Sequence, residues 1–164
     1  GTCWVQRTME SRMAALAERT AYSYREDPAV PAFDDGGQIA VMDGHCALCS
    51  WGARTIAKLD KAGTFRLCPT QSKTGDALVR HFGLDPGDPE TWLFIEEGQA
   101  WSGMEAIIRI GARLGGAGRL ASLLRVLPRG LREWIYRRIA HRYRFGKSDM
   151  CATPDEKLCR RLIT

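Results

Sequence analysis

The sequence contains no run of 18 or more apolar residues, so no membrane-spanning helix is expected. Its first residues, Gly1-Thr2-Cys3-Trp4-Val5-Gln6-Arg7, lack the basic start and apolar stretch of a signal peptide, and none is expected. There is no internal repeat and no low-complexity tract. Histidine is scarce, with 3 in the chain, and only one pair of cysteines has Cys-x-x-Cys spacing. A structural zinc site usually takes four ligands as two such pairs, and the second pair is missing. No nucleic-acid-binding motif and no basic-aromatic groove pattern is present, so no nucleic-acid partner is expected.

What the chain does have fits one domain with a real core: 164 residues, 45% hydrophobic and 26% charged. Six cysteines stand at 3, 46, 49, 68, 151 and 159, without the spacing of a small stapled secreted fold. A chain of this length forms a core without staples, so free thiols in a reducing compartment, and hence a cytoplasmic protein, are expected. The net charge of +5 is split between −4 over residues 1–100 and +9 over residues 101–164. A basic C-terminal part fits an anionic membrane, an acidic partner or a solvated helix face.

Periodicity and punctuation outline the elements. Residues 8–20 read as a helix, and the prolines and glycines before residue 37 read as a linker, so 1–36 is expected to be a helical appendage to a domain over 37–164. Ile39-Ala40-Val41-Met42 reads as a buried strand, 46–59 as a helix, and Thr64-Phe65-Arg66-Leu67-Cys68 as a second strand. A second helix is expected over 74–82. A hairpin pairs 91–95 with 100–102, and Ser102 and Glu105 look like a capping box for a helix over 103–114. The order β-α-β-α-β-β-α is that of a thioredoxin-like α/β fold. Two further amphipathic helices follow, with Leu120, Leu123, Leu124 and Leu127 on one face of the first and Leu131, Trp134, Ile135 and Ile139 on the second. Their apolar faces are expected to cover the sheet.

The chemistry concentrates in Asp43-Gly44-His45-Cys46-Ala47-Leu48-Cys49. A thiol pair at a strand-to-helix turn becomes a redox centre, because the helix start favours the attacking thiolate. Three-residue spacing puts Cys49 one turn on, on the same face, placed to close a disulfide and release a mixed-disulfide partner. Asp43 opposes a second negative charge, and either caps the helix or passes a proton to and from Cys49. His45 supports Cys46 when protonated. Gln71 and Ser72 follow the second strand and either line the site or form a polar turn in which Ser72 caps the next helix. Trp51 is expected to pack on the sheet, Cys68 to be a buried strand residue, and His81 to be an ordinary surface or capping histidine. The competing reading is a metal binder using Cys46, Cys49 and His45.

The motif is similar to the D-x-x-C-x-x-C signature of the DCC family of thiol-disulfide oxidoreductases. Phe65-Arg66-Leu67-Cys68-Pro69-Thr70-Gln71-Ser72 resembles that family's second block, and 88–98 resembles its third strand and hairpin. Leu127-Pro128-Arg129 and Arg142-Tyr143-Arg144-Phe145-Gly146 resemble its C-terminal helices, and Cys151 a cysteine of its tail. The likeness spans about residues 38–164. Departures are Ala47 where proline is usual, His45 where a small or acidic residue is usual, and Pro89, which stands two residues before Thr91. The resemblance implies dithiol exchange by Cys46 and Cys49 with a protein or small-molecule disulfide or thiol, and no cofactor. The basic helices over 120–144 add a third expectation, an interaction module with weak anionic membrane contact.

Overall fold

Gln38–Met42 forms β1 because each of its apolar side chains has a buried place on one or the other face of a sheet. The computed structural model describes residue 16, residues 19–87 and 91–143, and residues 156–163. After β1 come α1 (Ala47–Leu59), β2 (Phe65–Pro69), α2 (Lys73–His81), β3 (Leu93–Glu96), β4 (Gln99–Ser102) and α3 (Gly103–Leu114). A 3-10 helix (Gly116–Val126), α4 (Arg129–Tyr143) and the short α5 (Glu156–Cys159) complete the described elements.

The four strands run in the order β2-β1-β3-β4. β1 is parallel to β2, with Met42 opposite Pro69, and antiparallel to β3, which pairs antiparallel with β4. The single α1 crossover forces the parallel pair and the tight β3–β4 turn forces the antiparallel one. The turn places Glu97 and Gly98 at positive φ, and a Cβ on Gly98 would collide with Tyr22. This is the expected thioredoxin-like α/β order, with strand limits shifted by a residue or two.

Alternation along β1 divides the core. Ala40 and Met42 face α1 and α3, meeting Cys49, Ala53, Ile56, Phe94 and Ile110. Ile39 and Val41 face α2 and the N-terminal segment, meeting Leu78, Phe82, Ile95, Leu16 and Tyr24. The helix expected over 8–20 lies outside the described residues except for Leu16, Arg19 and Thr20. Within the segment before β1, a 3-10 turn (Ser23–Glu26) buries Tyr24, and the Tyr22 N–H donates to the Gly98 carbonyl at 3.0 Å. His81, expected as an ordinary surface or capping histidine, lies in the last turn of α2 and is mostly enclosed. Its Nδ1 lies 2.7 Å from Asp27 Oδ2 and its Nε2 2.9 Å from Ser23 Oγ.

Three expectations fail for local reasons. Ser102 stands at the α3 N-cap but its side chain makes no capping bond, and Glu105, the other half of the expected box, pairs with Arg109 and Arg125 instead. The segment 116–126 is a 3-10 helix, so its apolar residues do not share the face that α-helical spacing predicts. Leu131 and Trp134 are exposed, while Tyr136 of α4 is buried.

The tail returns to the sheet. Leu162 bridges Leu67 in parallel, the Leu67 N–H donates to the Arg161 carbonyl, and the Ile163 N–H donates to the Leu67 carbonyl, both at 2.7 Å. This covers the outer edge of β2. Arg161 reaches the buried Asp60 carboxylate at 2.5 Å. Asp60 Oδ2 also accepts from the Phe65 N–H at 2.9 Å.

Candidate functional site

The parallel pairing of β1 and β2 sets their C-terminal ends side by side, so the turn after one strand touches the turn after the other. Asp43 Oδ1 accepts from the His45 N–H at 2.9 Å and from Gln71 Nε2 at 2.6 Å. The other end of the same amide, Gln71 Oε1, accepts from the Gly44 N–H at 2.8 Å. A Cβ on Gly44 would lie 3.0 Å from that oxygen and 3.3 Å from Pro69 Cβ, so the turn is fitted closely to its neighbour. Gln71 thus holds the backbone from Asp43 to His45 from outside its own loop.

Cys46 is the N-cap of α1, extended at φ −85° and ψ 129°, and its carbonyl accepts the Ser50 N–H at 2.9 Å. No acidic residue stands in the first turn of α1. The opening amides of a helix lack backbone partners, and their aligned dipoles favour negative charge beside them. Cys46 is half-buried and Cys49, one turn on, is fully buried. Both are free thiols within hydrogen-bonding reach of one another. Burial pushes the Cys49 thiol well above the usual range, and the charge of Cys46, its hydrogen bond and the charge of Asp43 push it further. A hydrogen bond from the Asp43 backbone partly offsets this. One thiol is therefore reachable from solvent and the other is held protonated behind it.

Asp43 does not cap α1; it closes the turn before the helix, and its charge bears on Cys49 instead. His45 is exposed, and its imidazole forms no hydrogen bond or ion pair among the described residues. Ser72 takes the capping role: its Oγ accepts the Gly75 N–H at 3.0 Å and donates to the Pro69 carbonyl at 2.8 Å. The same hydroxyl lies 3.5 Å from the Cys68 sulfur, and burial pushes the Cys68 thiol up to about 11. Trp51, expected on the sheet, is instead exposed. Trp92 fills that place: a Cβ on Gly52 would meet its ring at 2.8 Å. The signal was Gly52 itself, since a glycine inside a helix costs about 1 kcal/mol and needs a packing reason. Cys3, Cys151 and Pro89 lie outside the described residues. Among the described residues no three His, Cys, Asp or Glu side chains converge in a way that could hold a metal ion, so His45 does not join the thiols as a third ligand.

The site is thus a strand-to-helix turn on a thioredoxin-like sheet, carrying an accessible thiol backed by a buried one. The model of the family described as DCC1-like thiol-disulfide oxidoreductase matches residues 40–148. The chain belongs to that family. Among curated proteins, the uncharacterized protein YuxK of Bacillus subtilis (strain 168) is 32% identical over 128 residues, covering 77% of this chain and 93% of that protein. No solved structure matches. The DCC1-like match takes in the whole Asp43–Cys49 turn and the Gln71 clamp, and leaves Arg161 outside it.

Proposed function

We propose that this DCC1-like protein exchanges the Cys46/Cys49 dithiol with the disulfide of a partner protein or small molecule. The observation that carries the reading is the asymmetry of the pair, with Cys46 half-buried at the start of α1 and Cys49 buried within hydrogen-bonding reach behind it. The Cys46 thiolate attacks one sulfur of the partner disulfide, the partner's S–S bond breaks, and its second sulfur leaves as a thiolate that takes up a proton. Cys49 then loses its proton and attacks the Cys46 sulfur. The mixed disulfide breaks, the Cys46–Cys49 bond forms, and the partner departs with two electrons more than it brought.

The elevated Cys49 thiol sets a requirement on the second step. Something must take its proton, and Asp43 is the charged group whose field already acts on that sulfur. Asp43 is assigned as the group that assists Cys49, with Gln71 positioning it and His45 flanking Cys46 from solvent. Ser72 acts on the helix that follows β2.

The test is dithiol exchange with a small aromatic disulfide, with alkylation of the reduced chain read cysteine by cysteine by mass spectrometry over a pH series. Cys46→Ser abolishes exchange, and Cys49→Ser traps the mixed disulfide. Cys49 stays unreactive at pH values near 8.5, where an ordinary thiol already reacts. Full exchange activity in Cys46→Ser removes the reading.

A further inference from the structure

A 3-10 helix has three residues per turn, so side chains three apart eclipse and form straight rows. Residues 116–126 therefore carry three rows. Gly118, Ala121 and Leu124 form the row turned toward α3. A Cβ on Gly111 would lie 2.6 Å from the Gly118 carbonyl and 2.8 Å from Ala121 Cβ. Arg119, Ser122 and Arg125 form the second. Leu120, Leu123 and Val126 form the third, and these are 65%, 63% and 83% exposed. Leu131 and Trp134 on α4 are exposed as well, at 42% and 60%. Soluble surfaces seldom group large apolar side chains without an occupant for them.

The charge around this row points to the occupant. Residues 116–138 contain six arginines and one acidic residue, Glu133. Arg125 pairs with Glu105 and Arg137 with Glu133. Arg119, Arg129, Arg132 and Arg138 form no ion pair among the described residues. A second copy of the chain would bring the same arginines against these, so self-association across this face sets like charges together. An apolar row flanked on its own helix by the row of Arg119 and Arg125, and followed in the chain by exposed Leu131 and Trp134 and by Arg129, Arg132 and Arg138, is complementary to a surface that offers anionic headgroups above acyl chains. We propose that the Leu120–Leu123–Val126 row, with Leu131, Trp134 and the arginines beside them, docks on an anionic lipid surface.

This inference does not rest on the thiol chemistry, and its test is separate. The purified reduced chain is sedimented with vesicles of phosphatidylcholine alone or of phosphatidylcholine mixed with phosphatidylglycerol, at low and high salt. Binding to the mixed vesicles at low salt is expected, with Trp134 emission shifting to the blue and the shift absent in Trp134→Phe. High salt weakens binding, since each guanidinium near an anionic surface contributes about fivefold. Val126→Glu with Leu123→Glu reduces it at least tenfold while leaving exchange activity and circular dichroism unchanged, because both side chains face solvent. No sedimentation with the mixed vesicles at low salt overturns the proposal. So does undiminished binding by the double variant, or a concentration-dependent dimer that the double variant abolishes.

Discussion

One amide, that of Gln71, grips the turn ahead of Cys46 by both its oxygen and its nitrogen. Gln71→Ala leaves the Gly44 N–H and the Asp43 carboxylate each one partner short. Lost hydrogen bonds of this kind cost about 1–2 kcal/mol, so the melting temperature falls by a few degrees. The exchange rate is expected to fall more, by about tenfold, because the turn that carries Asp43, the group proposed to assist Cys49, is released. Gln71→Glu separates the two effects. It keeps an acceptor for Gly44 but sets a second carboxylate against Asp43, which opposes ionisation at Cys49 further. Its exchange rate should fall below that of Gln71→Ala while its melting temperature stays higher. Stopped-flow exchange and thermal melts on both variants check this. The spacing of Cys46 and Cys49 and their place at the start of a helix after a strand were legible in the sequence. The clamp was not, because it joins residues 28 positions apart whose meeting depends on the β1–β2 register.

At the scale of elements, two buried glycines in helices explain how closely α1 and α2 sit on the sheet. A Cβ on Gly75 would run into the Pro69 backbone carbonyl, which belongs to β2 and has no room to yield. A Cβ on Gly52 would meet only the far edge of the Trp92 ring. Gly75→Ala is therefore expected to destabilise by about 3 kcal/mol and Gly52→Ala by about 1 kcal/mol, as overpacking against rigid and movable neighbours would give. Denaturant unfolding of the two variants checks the order. The elements of the sheet were readable because alternation and turn residues agree there with the final packing. The segment 116–126 was misread because an α-helical period was assumed. At three residues per turn Leu120 and Leu123 fall in a different row from Leu124, which changes what is buried.

Across the whole molecule, two long-range pairs tie the ends of the chain to its centre. Arg161 neutralises an Asp60 carboxylate that lies inside the fold and caps the start of β2. Arg161→Met leaves that buried charge with the Phe65 N–H but no cation beside it, and a loss of about 3 kcal/mol is expected in denaturant unfolding. Asp60→Asn in the same background should recover part of it. The pair was invisible in sequence because its members stand 101 positions apart and Asp60 reads as an ordinary helix-ending residue. At the other end, the hydrogen bond with His81, and then that from the Ala29 N–H, hold the Asp27 carboxyl below its usual range. A carboxyl with a lowered folded value adds stability above its unfolded pKa of about 3.9 and loses it as pH falls through the folded value. Asp27→Asn should therefore flatten the acid side of the stability curve below about pH 4 and leave the alkaline side unchanged, as pH-dependent melts will reveal.

The 3-10 helix also stores length. At about 2.0 Å per residue its 11 residues span roughly 22 Å, whereas the same residues wound as an α-helix span roughly 16 Å. Rewinding would draw the start of α4 about 5 Å toward the end of α3 and gather Leu120, Leu123, Leu124 and Leu127 onto one side. The 3-10 winding thus sets α3 and α4 farther apart, and the apolar row narrower, than an α-helix of the same residues would.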